Sequence, residues 1–161
     1  YQKVVETFGQ DVVAADGTID RKVLGSKVFG KPDELKKLTA IVWPGIRRLA
    51  SEQLAEFEAA GNELVVLEAA VLLEAGWEDL VDEIWVVVVD PEIAIQRLAY
   101  RNGLDPDAAR ARIASQLTNE ERIARADVVI ENNGTLDELN TRVRQAWDSL
   151  QERLRAAAGR N

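Results

Sequence analysis

The chain has 161 residues, 47% of them hydrophobic and 30% charged, a balance expected of one soluble globular domain. Its formal charge of −8 argues against broad nucleic-acid or anionic-membrane binding, and no apolar run is long enough to span a bilayer. With no Cys and no His, disulfides, thiol chemistry, the usual structural zinc sites and a histidine general base are all excluded.

The chain also lacks Met and opens YQKVVETFG, without a leader-like apolar stretch, so a fragment or processed product is expected. Tyr1–Phe29 reads as mainly helical, with a turn at Asp16-Gly17. Pro32 suits a helix start, and Leu35, Leu38, Ile41 and Val42 keep helical spacing. Trp43-Pro44 should interrupt that helix, since a residue before Pro avoids the α region. Ile46, Leu49, Leu54 and Phe57 resume the pattern until Ala60-Gly61-Asn62 ends it.

Leu64–Leu67 and Ile84–Val89 are short apolar runs without polar alternation, the pattern of parallel strands buried on both faces. Asp90-Pro91-Glu92 and Asp105-Pro106-Asp107 each supply an N-cap, a Pro at the first helical position and an acid in the first turn. These start helices running to about Arg101, closed by Asn102-Gly103, and to about Leu117. Thr118/Glu121 and Thr135/Glu138 have capping-box spacing. Between them Asp127–Glu131 reads as a third strand, turned by Asn132-Asn133-Gly134. The last helix carries Leu136, Leu139, Val143, Trp147, Leu150 and Leu154 on one face, and its end, RAAAGRN, should fray. Strands alternating with helices predict an α/β fold with a parallel sheet. Three such strands make a small sheet with poorly covered edges, so further strands are expected from outside these residues.

Three constellations could carry chemistry. Arg97, Arg101, Arg110, Arg112, Arg122 and Arg125 crowd a helical insert between two predicted strands. Arginine forks suit phosphate, and lids that bring arginines onto transferring phosphates are a kinase device. The plainer reading is a solvated face paired with Asp105, Asp107, Glu120 and Glu121. Gly25 to Lys31 has P-loop spacing, but Pro32 stands where Ser or Thr is needed, and a helix rather than a strand should precede it. It is read as a decoy. Glu68, at the C-terminal end of a predicted strand, sits where open α/β sheets bind ligands; with Glu74 it is either a substrate-pocket carboxylate or outer-shell Mg²⁺ ligand, or a structural acid. The four tryptophans are read as core, Trp77 being the best candidate for an exception.

Seven pieces in order then carry a resemblance: FG-x-D at Phe8–Asp11, DGTIDRKVLGSKVFG at Asp16–Gly30, LTAIVWP at Leu38–Pro44, LEAAVLLEAGW at Leu67–Trp77, RNGL at Arg101–Leu104, ARIASQ at Ala111–Gln116 and ADVVIENNG at Ala126–Gly134. Together they resemble the dephospho-CoA kinase family, most closely the C-terminal kinase domain of animal bifunctional CoA synthases. Trp43 and Ala70 depart from the His and Pro common in relatives.

The resemblance implies a P-loop kinase fold, a three-layer parallel sheet with a helical substrate domain and a lid. Residues 1–58 would be the helical CoA-binding region, 63–90 and 126–158 the core, and 91–125 the lid. It implies transfer of the ATP γ-phosphoryl to the ribose 3′-hydroxyl of dephospho-CoA with Mg²⁺, in the cytoplasm, with no nucleic-acid or membrane partner. By position it puts Arg97 and Arg101 in catalysis, Glu68, Leu72 and Glu74 at the substrate, and Arg112, Gln116, Asn132 and Gly134 at ATP. No metal ligand is assigned. The family's opening strand, Gly-rich loop, Mg²⁺ ligand and catalytic Asp would all precede Tyr1, so this stretch alone is expected to be inactive. Rival readings are an inactive module binding CoA-like ligands and another P-loop kinase of small nucleotides.

Overall fold

A computed structural model describes residues 1–103 and 105–159. They fall into two compact units, Tyr1–Glu68 and the residues from Ala69 onward.

The first unit is helical. α1 (Gln2–Phe8) is followed by a 3-10 turn at Gln10–Val12, then α2 (Arg21–Val28) and α3 (Pro32–Ala59). Val4, Phe8, Val12 and Val28 are its buried core, and Leu38, Ile41 and Val42 of α3 pack against them. The resemblance motifs here build this core. Gly9 takes φ 94°, open to glycine without strain, and the Asp11 carboxylate pairs with Lys27 at 2.7 Å. The Asp16 carboxylate accepts the Thr18 N–H at 3.0 Å to close the turn, and Asp20 caps α2 by accepting from Lys22 and Val23.

Two expectations fail in this unit. α3 runs unbroken through Pro44. Proline removes one helical hydrogen bond, but Pro44 and Ala40 are both exposed, so water can take the freed carbonyl while Leu38, Ile41 and Val42 hold the helix to the core. Leu64–Leu67 is not a strand and is not buried: it forms no sheet pairing among the described residues, and Val66 is 79% exposed. An apolar run becomes a strand only when its backbone groups find a ladder.

The second unit holds the sheet. β1 (Trp85–Val88) pairs in parallel with β2 (Val128–Glu131), Trp85 opposite Val128 and Val88 opposite Glu131. The connection contains α4 (Pro91–Asn102), α5 (Pro106–Ala114) and α6 (Asn119–Ile123), and α7 (Leu136–Ala158) follows β2. Each sequence-read cap is present: Asp90 and Asp105 accept from first-turn amides, and both capping boxes close. Gly103 ends α4 in the left-handed region, while Leu104 of the RNGL piece and Arg160 and Asn161 of the terminal piece lie outside the described residues. α5 stops at Ala114, short of Leu117. β1 is not buried on both faces. Val88 is buried but Val87, which points to the opposite face, is 53% exposed, so one face of the strand is left uncovered. Leu73 and Trp77 join Val88, Ile95, Ala109 and Ile130 as the buried residues. Trp77 is therefore a core residue, only 5% exposed, and not a stacking platform.

Candidate active site

The candidate site grows from the C-terminal ends of β1 and β2. After β1 the chain passes Val89 and enters α4 through the Asp90 cap. After β2 it turns through Asn132-Asn133-Gly134 into the Thr135 cap of α7. Side chains lace these two exits together. The Asp90 N–H donates to Asn133 Oδ1 at 2.7 Å, and Asn119 Nδ2 donates to the Val89 carbonyl at 2.8 Å. Arg97, two turns into α4, donates from Nη1 to the Asn132 carbonyl at 2.8 Å and from Nη2 to the Gly134 carbonyl at 3.0 Å.

Beside this junction lies an open groove of about 770 Å³. Arg97, Tyr100 and Arg101 of α4 line it, with Ile113 of α5, Gln116 just after α5 and Asn132 after β2. Four sequence-read candidates, Arg97, Arg101, Gln116 and Asn132, thus share one surface. Arg101 meets only its neighbour, Nε donating to Asn102 Oδ1 at 2.9 Å, so most of its guanidinium donors have no protein partner among the described residues. An exposed cation with spare donors at the mouth of a groove suits a polyphosphate anion.

The other candidates lie differently. Glu74 accepts from Arg122 Nη2 at 3.0 Å, and the same nitrogen lies 3.3 Å from Gln116 Oε1. Glu74 therefore reaches the groove's rim only through Arg122. Leu72 is half-buried, and its carbonyl accepts the Trp77 N–H at 3.0 Å to fold the 70–76 turn. Glu68 is exposed, with no side-chain partner among the described residues. Arg112 is exposed on α5 and does not line the groove. Gly134 sits against the Glu138 carboxylate, where a Cβ would collide. That carboxyl is held below the usual carboxylate range, first by the Thr135 backbone N–H and then by the Thr135 hydroxyl.

The solvated-face reading accounts for one arginine of the cluster: Arg110 pairs with Asp107 at 2.9 Å. Arg125 pairs instead with Glu78, and Asp105 and Glu121 are taken up as helix caps. The P-loop decoy is confirmed as such: Gly25–Val28 lies inside α2, and Lys27 donates to the Phe8 carbonyl and Asp11. No group of three or more acidic side chains converges among the described residues, so no Mg²⁺ site is assigned to them. No described helix is long and apolar enough to cross a membrane.

A family model described as dephospho-CoA kinase matches residues 1–138. The chain belongs to the dephospho-CoA kinase family. The dephospho-CoA kinase of Geobacter sulfurreducens is 45% identical over 147 residues, covering 91% of this chain and 75% of the relative. That of Symbiobacterium thermophilum is 42% identical over 147 residues, covering 91% of this chain and 62% of the relative. The chain thus spans three quarters of the first relative's length and less than two thirds of the second's. A Thermus thermophilus crystal structure superposes with a TM-score of 0.72 at 34% identity, over 92% of this chain and 75% of that one. A dephospho-CoA kinase from Campylobacter jejuni gives 0.64 at 26% identity, over 93% and 75%. The fold is therefore the P-loop kinase fold of the dephospho-CoA kinases, with parallel strands and a helical insert.

Proposed function

We propose that the protein carrying this chain transfers the γ-phosphoryl group of ATP to the ribose 3′-hydroxyl of dephospho-CoA. The observation that supports this most directly is the convergence of Arg97, Arg101, Gln116 and Asn132 on one groove at the strand ends of a dephospho-CoA kinase family member. Phosphoryl transfer asks little covalent chemistry of a protein. It asks for in-line positioning and for cations where charge spreads over the transferring oxygens.

In this reading α4–α6, within residues 91–125, form the lid, and Arg101 neutralises phosphate charge. Asn132 and Gly134 receive the nucleoside of ATP, and Gln116 and Arg112 are assigned to the nucleotide by their motif positions. Residues 1–58 form the helical region for the CoA moiety, and Glu68, Leu72 and Glu74 shape the acceptor side. Mg²⁺ would supply positive charge against the phosphates, and no described residue is assigned to hold it. Dephospho-CoA is a small molecule, and the reaction is placed in the cytoplasm by the family resemblance alone.

We further propose that these 161 residues alone turn over little or no substrate. Their GxxxxGK spacing, at Gly25–Lys31, starts inside α2 rather than after a strand, so it does not have the strand–loop–helix form that presents backbone N–H groups to phosphates.

The test is ADP release from ATP plus dephospho-CoA, in a coupled assay, for the intact protein and for the 161-residue chain. Dephospho-CoA-dependent turnover by the intact protein, lost in Arg101→Ala, is expected. Turnover with other nucleotides but not dephospho-CoA would favour a different small-nucleotide kinase. CoA binding without turnover would favour an inactive ligand-binding module.

A further inference from the structure

Arg97 stands among the phosphate-handling arginines by position, but its guanidinium ends on main chain. Nη1 and Nη2 bridge the carbonyls of Asn132 and Gly134, residues 35 and 37 positions away. A planar fork that spans two carbonyls two residues apart fixes the curvature of the segment between them. The Asp90 N–H, donating to Asn133 Oδ1, pins the middle of the same segment. All three residues of the 132–134 turn are thus held by the β1–α4 side of the unit. Among them Asn132 lines the groove, with Arg101 and Gln116.

Two cations line the groove, Arg97 and Arg101. They differ in the donors they have left: both terminal nitrogens of Arg97 donate to the Asn132 and Gly134 carbonyls, whereas among the described residues only Nε of Arg101 has a partner.

We propose that Arg97 is a positioning residue: it shapes the 132–134 turn that receives the nucleoside end of the nucleotide, while Arg101 meets the phosphates. This rests on the nucleotide-kinase reading above. Arg97 then acts on nucleobase discrimination and nucleotide affinity, not on the transferring group.

Steady-state kinetics of the intact protein with ATP and GTP, at saturating dephospho-CoA, test this in Arg97→Ala, Arg97→Lys and Arg101→Ala. Arg97→Ala should raise KM for ATP about tenfold with kcat close to parent, and should narrow the preference for ATP over GTP. Arg97→Lys keeps the charge but cannot span two carbonyls, so it should show the same pattern, and it carries the test if the alanine variant does not fold. Arg101→Ala should lower kcat and leave the ATP-over-GTP preference intact. A fall in kcat with unchanged preference in Arg97→Ala would overturn the proposal, as would parent kinetics in Arg97→Lys. If the parent shows no dephospho-CoA-dependent turnover with either nucleotide, the kinase reading itself fails and the proposal falls with it. That outcome is distinct, because failure of the proposal alone leaves parent turnover intact.

Discussion

The carboxylate of Glu74 accepts a hydrogen bond from Arg122 Nη2 at 3.0 Å, across 48 residues of sequence, with the two side chains 23% and 24% exposed. The pair ties the 70–76 turn to α6, and through Gln116 Oε1 to the groove's rim. Semi-buried ion pairs are worth more than surface ones because solvent screens them less. A double-mutant cycle with Glu74→Gln and Arg122→Ala, read by urea unfolding, should give a coupling of about 1 kcal/mol. A coupling of zero would mean that the pair does not fix the turn.

Arg101 has the opposite character, an exposed cation whose one side-chain partner among the described residues is its neighbour Asn102. Arg101→Ala in the intact protein should therefore leave the urea midpoint essentially unchanged. It should lower kcat by about a hundredfold, the scale of removing one preorganised charge from a transition state. A large loss of stability with unchanged kcat would assign Arg101 to the fold instead.

A Cβ at Gly134 would meet the Glu138 carboxylate, the end of a flexible side chain. Gly134→Ala must move that carboxylate out of the Thr135–Glu138 capping box. The expected cost is about 1 kcal/mol at the start of α7, the usual worth of a lost N-cap. Circular dichroism with urea titration measures it. In Glu138→Ala the box is already gone, so adding Gly134→Ala should then cost little.

The same box sets a pH dependence. Glu138 is held below the ordinary carboxylate range by the Thr135 N–H and hydroxyl, and Asp11 by the Lys27 ammonium. Both folded values lie below the unfolded ones, so their stabilising contribution is complete above the unfolded values, near 4.5 and 3.8. It is lost as pH falls through the lower folded values. Stability measured from pH 6 downward should fall less steeply in Glu138→Gln than in the parent. An unchanged slope would remove Glu138 from the acid response.

Lys31 ends the P-loop-like spacing but follows α2 as the residue capping α3. Lys31→Ala should alter the affinity for ATP less than twofold, where loss of a true P-loop lysine would remove a direct contact to the β/γ-phosphates. A collapse of nucleotide binding would restore the phosphate-loop reading of Gly25–Lys31.

What could be read from the sequence was what is local. Asp90-Pro91, Thr118/Glu121 and Thr135/Glu138 act over three residues, and each forms the expected cap. Pro44 was misread because local dihedral preference lost to the packing of Leu38, Ile41 and Val42 on the first core. Leu64–Leu67 was misread because a strand is a relation between two segments, and composition gives only one of them. In the site, the motif positions Arg97, Arg101, Gln116 and Asn132 were legible and do share a groove. What each arginine holds was not. The carbonyls gripped by Arg97 and the carboxylate gripped by Arg122 lie 35 to 48 residues away, and no spacing rule reaches that far.

The buried cluster of Val4, Phe8, Val12 and Val28 spans only the first 28 residues, with Leu38, Ile41 and Val42 close behind. Its contacts close short loops, so little chain entropy is lost before they form. The consequence concerns time rather than architecture. During synthesis this cluster can assemble once α3 has emerged, long before Asp127 and β2 exist to pair with β1. Pulse-labelled hydrogen exchange during refolding should find the Asp20 amide, bonded to the Val12 carbonyl, protected before the Asn132 amide, bonded to the Val88 carbonyl. Simultaneous protection would mean that the two regions fold as one cooperative event.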